Sequence, residues 1–114
     1  MATIEPQFTR PDDGVLMLLW EGVVTGDTIH MHQVEGTAGA IANVQVTGTF
    51  GGATVSFAGS NDGVNFVVLK DLSDAAIALT SPGMVDFSTA ALFVKPIISG
   101  GSGNDVDVTA VLRG

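Results

Sequence analysis

Cysteine and tyrosine are absent from this sequence, and positively charged residues are scarce. Without cysteine the chain can form no disulfide, no thiolate metal site and no cysteine nucleophile. Its 4 Lys and Arg residues stand against 12 Asp and Glu residues, which gives a net charge of −8. Nucleic acids and anionic membranes attract clustered cations, whereas the cations here stand singly along the chain. The charge balance therefore argues against both of these partners and is compatible with a basic protein partner.

Long hydrophobic segments are also absent. The apolar run at 15–20 ends after six residues, far short of the ~20 that a bilayer-spanning helix needs. The N-terminus has no basic segment ahead of an apolar one, so we expect no signal peptide. Charged residues make up 14% of the chain, against about 25% in an average soluble domain. A surface with so little charge suits a subunit that its neighbours partly cover, so we expect a homo-oligomer.

The clearest structural signal is the segment 48–71, which predicts a β-hairpin. Apolar residues alternate with small or polar ones at 53–58, and the run at 64–69 is rich in β-branched and aromatic residues. The cluster Gly59-Ser60-Asn61-Asp62-Gly63 separates the two runs. Ser, Asn, Asp and Gly favour turns because they bond their own backbone or tolerate positive φ. Two alternating runs around such a cluster predict adjacent antiparallel strands.

Similar alternation along the rest of the chain predicts further strands. They are expected at 15–25, 28–34, 40–50, 75–79, 84–87, 91–99 and 105–113. Several of these strands have one clearly apolar face, and we expect that face to point inward. The expected inward residues are Val44, Val46, Val106, Val108, Ala110 and Leu112. In the 15–20 run both faces are apolar, with Leu16, Leu18 and Trp20 on one of them, which is also compatible with a buried helix segment. The short length and the Gly-Val-Val-Thr that follows favour a strand there. Pro96 cannot donate to a sheet ladder, so its end of the 91–99 strand should lie at an edge or a bulge.

Short strands separated by turn residues, with no helical period, predict an all-β fold. A length of 114 residues predicts a single domain, which we place at 15–114. We expect a small antiparallel β-sandwich or jelly roll. An immunoglobulin-like sandwich and an open Greek-key barrel remain alternatives, because the sequence does not determine the strand order.

The first 14 residues differ from the rest and predict an extended N-terminal arm. Pro6 and Pro11 oppose a helix or a central strand, and the segment has no apolar period. Ile4 and Phe8 are apolar residues in a polar setting, so the arm could anchor them on a neighbouring subunit. We take Ile4, Phe8 and Arg10 as candidate partner-binding residues. Deleting residues 1–10 should then leave the fold nearly intact and weaken assembly, whereas deletion of a disordered tail would change neither.

Few residues offer catalytic or metal-binding chemistry. His30 and His32 would share a face of a continuous strand, but a zinc site would need Glu35 or Asp27 as well. Two half-exposed strand histidines are the simpler interpretation. The Ser60–Asn65 segment lacks the spacing and terminal Glu of a calcium loop. No Ser/His/acid set or phosphate-binding glycine loop is recognisable, so we expect no enzyme activity, no cofactor and no metal.

The segment from Gly48 to Arg113 resembles small structural proteins of tailed bacteriophages. The matching features are the start Gly-Thr-Phe-Gly-Gly-Ala-Thr-Val, the Gly-Ser-Asn-Asp-Gly hairpin followed by Phe66, and Val-Lys-Pro before a Gly-rich turn. Residues 1–39 have no part in the resemblance. It implies a capsid decoration, or cement, protein with a β-sandwich or jelly-roll fold. Such a protein assembles as a trimer or dimer on the outer capsid surface, bound to the major capsid protein.

Two other functions remain open at this stage. A tail or fibre module of a virion would share the glycine-rich β-hairpin. A carbohydrate-binding module is the third alternative, from a different class. Such modules usually present a platform of Trp and Tyr, and here Trp20 stands alone in a run that has the pattern of a core strand.

Overall fold

The computed structural model describes residues 2–12, 14–34 and 41–113. Within these residues there is no helix, and strands account for most of the regular structure. The strands are β1 (Thr3–Ile4), β2 (Gln7–Asp12), β3 (Val15–Val23), β4 (Thr28–Ile29), β5 (His32–Gln33), β6 (Ile41–Thr49), β7 (Thr54–Ser60), β8 (Val67–Val68), β9 (Gly83–Ser88), β10 (Phe93–Ser99) and β11 (Asp105–Arg113). The predicted all-β fold is confirmed.

The described strands form two antiparallel sheets and one short parallel pair. One sheet has five strands in the order β2-β3-β11-β6-β9, and the other has four in the order β5-β10-β7-β8. Strands β1 and β4 pair in parallel beside them. The hydrophobic core combines residues of both antiparallel sheets, so the architecture is that of a β-sandwich. At the centre of the core the rings of Trp20 and Phe87 lie 5.8 and 5.5 Å from the ring of Phe57.

The alternating apolar residues point into this core as predicted. Strands β3, β6 and β11 lie next to one another in the five-stranded sheet, and their inward rows are buried. The confirmed inward residues are Val44, Val46, Val106, Val108, Ala110 and Leu112. Of the two apolar faces of β3, the structure buries the one with Leu16, Leu18 and Trp20. Since side chains alternate between the faces of a strand, the intervening residues of these strands form the outer face of the sheet.

The predicted hairpin is confirmed, with a longer loop than expected. Strands β7 and β8 pair antiparallel, with Ala58 opposite Val68 and Gly59 opposite Val67. The predicted turn of five residues becomes a connection that spans 61–66.

Pro96 lies in β10, which pairs with β7 along one side. On its other side β10 pairs with the short β5 only at Phe93 and Val94, so none of the described strands pairs with Pro96 there. The proline therefore lies at a sheet edge, as predicted.

Two predicted strands are shorter or less regular than expected. The 28–34 strand breaks into β4 and β5, because the backbone of His30 bonds elsewhere. Its carbonyl accepts the indole N–H of Trp20 at 2.8 Å, and its N–H donates to the carbonyl of Ile4. The 75–79 segment makes only isolated bridges, Lys70 with Ala76 and Val55 with Leu79. The loop expected at 35–39, and with it Glu35, lies outside the described residues.

The N-terminal segment is extended, as expected, and it is hydrogen-bonded to the rest of the domain. β2 is an edge strand that pairs antiparallel with β3, and β1 pairs with β4. Ile4 packs against the hydrophobic core. Pro11 falls at an irregularity of the β2–β3 ladder, between Thr9 and Asp12, where its missing N–H interrupts no regular pairing. Residues 3–12 thus contribute to the domain itself, contrary to the expectation that the arm adds little to its core.

Asn104 joins two turns at one end of the sandwich. Its side-chain oxygen accepts the backbone N–H of Thr25 at 2.8 Å, and its amide nitrogen donates to the Thr25 hydroxyl at 2.9 Å. That hydroxyl donates to the carbonyl of Gly100 at 2.6 Å. Beside it the Ser102 N–H donates to the carbonyl of Gly51, whose φ is +57°. A Cβ at Gly51 would collide with the Ser102 carbonyl oxygen, so only glycine fits there.

We expect Asn104→Ala to lower the free energy of unfolding by about 1–2 kcal/mol, because it removes a buried side chain and leaves the N–H of the half-buried Thr25 without its acceptor. Urea denaturation followed by tryptophan fluorescence measures the change. Ser102→Ala is the matched control, because the exposed Ser102 enters the cluster through its backbone. The control should stay within about 0.5 kcal/mol of the parent. Equal losses in the two variants would contradict a central role for Asn104.

Candidate interaction surface

The outer face of the five-stranded sheet carries several apolar side chains among polar ones. Strand β3 is apolar on both faces, so Leu16, Leu18 and Trp20 fill the core while the alternate residues point outward. Outward apolar residues continue across β11, β6 and β9. We call this set the outer patch, and its members are Val15, Met17, Leu19, Ile41, Met84 and Val111.

Strand register places two of these residues directly opposite each other and the others opposite polar residues of the same face. Met17 lies opposite Val111 across the β3–β11 ladder, and Ile41 lies opposite Arg113 across β11–β6. Met84 lies opposite Gln45 in the next pair of strands. Residues directly opposite each other on one face have Cβ atoms about 4.5–5.5 Å apart. The outer patch is therefore contiguous on β3 and β11, whereas Ile41 and Met84 lie among polar residues of β6 and β9 and meet the rest of the patch at a groove.

A groove of about 290 Å³ opens in this face between β9, β6 and β11. Its apolar wall consists of Ile41, Met84 and Val111. Ile41 is 67% exposed and Met84 is 60% exposed, so both are largely uncovered. Large exposed apolar patches with polar rims mark binding surfaces more often than single exposed apolar residues do. The groove is accordingly the part of the outer patch best suited to receive an apolar side chain.

Polar residues on the groove wall are partly engaged with each other. The Asn43 amide donates to the Asp86 carboxylate at 2.7 Å. The side chain of Arg113 also lines the groove. By strand alternation and register, other carboxylates lie around the same face of the sheet. The acidic residues of this face are Asp12, Glu21, Asp86, Asp105 and Asp107.

Both lysines of the chain lie away from this face. Lys95 is on β10 of the other sheet, with its ammonium nitrogen 4.4 Å from the centre of the Phe66 ring. Lys70 follows β8 and forms an exposed ion pair with Asp74 at 3.5 Å. The outer face of the five-stranded sheet is thus acidic around an apolar centre. Such a face is electrostatically matched to a basic partner surface.

The residues proposed from sequence for partner binding occupy different environments. Ile4 is half-buried against the chain's own core, so most of its apolar surface is already used. Phe8 is 58% exposed, and its ring lies 5.0 Å from the ring of His32. Because Phe8 lies opposite the inward-facing Leu18, it belongs to the inner side of the sheet edge and not to the outer patch. Arg10 is exposed in β2.

The structure separates the two histidines that were considered as metal ligands. His30 pairs with Glu5, and His32 stacks against Phe8. The shared face required a continuous strand, which is interrupted at 30–31. In the described part of the chain, no group of three or more His, Cys, Asp and Glu side chains could hold a metal ion. Those residues also contain no helix long and apolar enough to cross a membrane.

The hairpin loop has a structural network centred on Asp62. One carboxylate oxygen accepts the backbone N–H groups of Val64 and Asn65, both at 2.9 Å, and the hydroxyl of Ser60 at 2.8 Å. The other oxygen accepts the Asn65 side-chain amide at 2.8 Å. The backbone N–H groups of Asn65 and Val64, followed by the Asn65 and Ser60 side chains, hold the pKa of Asp62 well below its usual range. This network accounts for the length of the loop.

We expect Asp62→Ala to speed hydrogen exchange at the Val64 and Asn65 amides, because both lose their acceptor. The stabilisation should also depend on pH. Since the folded-state pKa is lowered, the contribution is complete above the unfolded-state pKa and is lost as pH falls through the folded-state value. Thermal unfolding of the parent and of Asp62→Asn across acidic pH tests this, because the amide does not titrate. Parallel pH profiles for the two proteins would contradict the prediction.

A second groove, of about 450 Å³, lies beside this loop at the β8 edge. Its floor includes Gly59, Val67 and Leu69, and its wall includes Asn61 and Asp62. The Asn61 side-chain oxygen already accepts the backbone N–H of Leu92. The polar wall is therefore largely occupied by bonds within the chain, which leaves it less available to a ligand than the groove of the outer patch.

Comparison with known proteins adds little about function. No protein-family model matches the chain, and no curated protein matches it. Among solved structures, the chain is similar to protein NMB1881 from Neisseria meningitidis, with 12% sequence identity and a TM-score of 0.41. The match covers 96% of this chain and 83% of the Neisseria protein. At this level of similarity, no argument about fold or function rests on it.

Proposed function

We propose that this chain is a structural virion protein that binds the outer surface of a phage capsid and staples neighbouring capsid subunits. The observation that carries the proposal is the apolar outer patch, with Ile41 and Met84 largely exposed around a groove. A protein that works by covering another surface needs such a patch. The resemblance at 48–113 to phage structural proteins supports the head as the location, with the major capsid protein as partner.

The proposed mechanism is thermodynamic linkage. A protein that binds the assembled shell better than its broken form stabilises the shell in proportion to the binding free energy. At a free concentration 100 times Kd, each occupied site contributes about 2.7 kcal/mol. No catalytic group or cofactor takes part in this mechanism. Homo-oligomerisation, with a trimer favoured, would let several patches act together at a symmetry axis through their effective concentration.

The decisive experiment mixes the purified protein with heads prepared without it. We expect the protein to co-sediment with heads, to raise the temperature at which they release DNA, and to give regular external density in electron microscopy. An unrelated acidic β-protein of similar size serves as the control. Binding to tails and not to heads would instead identify a tail or fibre module. Binding to neither would overturn the proposed function.

Sedimentation equilibrium of the free protein, together with counting of subunits in the external density, tests the trimer. We expect three subunits in the free protein, in the capsid-bound protein, or in both. A strict monomer in both states would contradict homo-oligomerisation without touching the capsid-binding proposal, because a monomer can also bridge two shell subunits.

A further inference from the structure

We propose that the groove walled by Ile41, Met84 and Val111 receives an apolar side chain from a basic surface of the shell protein. This inference rests on the proposed function and identifies which face of the domain is applied to the shell. It commits to a basic, apolar-centred protein surface as the occupant. The experiment separates this proposal from two others. In one, a second copy of the chain occupies the same groove, and in the other, the shell binds at the groove of the β8 edge instead.

The geometry of the groove supports an apolar side chain as its occupant. The groove holds about 290 Å³ between three strands, and its wall combines the exposed Ile41 and Met84 with the half-buried Val111. Because these residues project from paired strands, their positions are fixed by the ladders β11–β6 and β6–β9. A preorganised apolar groove loses little side-chain freedom on binding, which favours affinity.

Charge on the same face selects the partner. Asp86 lies in the groove wall, Asp12 lies opposite Val15 on the edge strand, and Asp105 marks the other end of β11. Arg113 is the cation of the groove wall, and it is outnumbered by these carboxylates. Two copies packed face to face would therefore bring an excess of negative charge together, and like charges across an interface disfavour association. A shell surface with Lys or Arg around its apolar contact would instead pair with them. Charge complementarity therefore favours a basic partner over a second copy.

The groove at the β8 edge offers a built-in comparison. Val67 is 68% exposed in that groove, and Leu72 is 67% exposed on the connection that follows β8. Both match Ile41 in exposure and in apolar character. A glutamate at either position should cost the fold as little as a glutamate at Ile41, because none of the three side chains is buried. Differences in head binding among the variants would then report the face that is used.

The experiment measures binding of five proteins to undecorated heads: the parent, Ile41→Glu, Met84→Glu, Val67→Glu and Leu72→Glu. We expect each of the first two substitutions to weaken binding by about 10- to 100-fold, as for central interface residues. The two control substitutions should stay within about threefold. Thermal unfolding of each variant confirms that the fold is retained.

A charge variant tests the second half of the inference. Asp86→Lys should weaken binding and flatten its salt dependence, because it places a cation against the expected basic surface. Arg113→Glu, on the same groove wall, should leave binding unchanged or strengthen it. Tighter binding of Asp86→Lys, with weaker binding of Arg113→Glu, would show an acidic partner surface and overturn the proposed chemistry.

The remaining outcomes are distinguishable. If the parent protein does not bind heads, the proposed function fails, and this inference fails with it. If the parent binds and Val67→Glu loses binding while Ile41→Glu does not, the function stands and the assigned face is wrong. If Ile41→Glu and Met84→Glu lower the mass of the free oligomer and leave head binding of the resulting species unchanged, the groove belongs to a contact between copies and the inference is overturned.

Discussion

Replacing Phe57 by alanine should lower the free energy of unfolding by about 3–5 kcal/mol. Phe57 is fully buried in β7, and its ring contacts Trp20 of β3 on one side and Phe87 of β9 on the other. The substitution removes the ring through which the four-stranded sheet meets two strands of the five-stranded sheet. The cavity left behind cannot collapse without moving strands that are fixed by their own ladders. Such a loss is a large part of the ~5–15 kcal/mol that stabilises a typical domain.

Urea denaturation with fluorescence of Trp20, together with thermal unfolding, measures this effect. A matched control is Phe66→Ala, because Phe66 is a half-exposed phenylalanine that contacts Lys95 on the other side of the same sheet. We expect the control to cost about 0.5–1 kcal/mol for the lost cation–π contact. Comparable losses in the two variants would mean that Phe57 is not at the centre of the core.

The sequence predicted the core well because core strands carry a local signal. In β11 every second residue from Val106 to Leu112 is apolar, and a period of two determines which side chains share a face. The hairpin could be predicted for the same reason, because its turn is held by bonds between residues close in sequence, from Ser60 to Asp62 and Gly63. The prediction of strands failed where hydrogen bonds between residues distant in sequence determine the path of the backbone. The strand expected at 28–34 is interrupted because Trp20 and Ile4 bond the backbone of His30.

The candidate surface could be predicted only in part. Strand β3 carried a usable signal, since Met17 and Leu19 are apolar on the face opposite Leu16 and Leu18. The groove carried none, because it requires Ile41, Met84 and Val111 to lie on neighbouring strands. That neighbourhood follows from the strand order β11-β6-β9, which pairs residues 43 positions apart such as Asn43 and Asp86. Periodicity does not encode strand order, so the groove emerges only from the three-dimensional structure.

The N-terminal segment shows how a compositional signal can mislead. Pro6 and Pro11 argued against a helix and a central strand, and the absence of a period argued against packing. An edge strand satisfies both constraints, because one of its sides needs no partner and a proline can occupy an irregular position in the ladder. Pro11 lies between the paired residues Thr9 and Asp12, where the register shifts. Short edge strands with one half-buried apolar residue leave no periodic trace in the sequence.

Deleting residues 1–10 should therefore destabilise the domain, contrary to the sequence-based expectation that the fold would remain nearly intact. The deletion removes β1, most of β2 and the half-buried Ile4. It also removes the Glu5–His30 pair and the contact of Phe8 with His32. Partial burial of Ile4 and several backbone hydrogen bonds, offset by the entropy of the freed segment, amount to about 2–4 kcal/mol. For a domain of this size that is a fall in Tm of roughly 10 °C or more.

The consequence of the deletion extends beyond lost contacts, because β3 then becomes the edge of the five-stranded sheet. β3 is apolar on both faces, and an exposed apolar edge strand pairs readily with other chains. We expect the truncated protein to aggregate on heating at concentrations where the parent stays clear, which light scattering measures. The double variant Glu5→Gln and Phe8→Ser is the matched control, since it removes two side-chain contacts and keeps β2 in place. If the truncated protein unfolds at the same temperature as the parent, without aggregating, then β2 does not stabilise the domain and the segment is an arm after all.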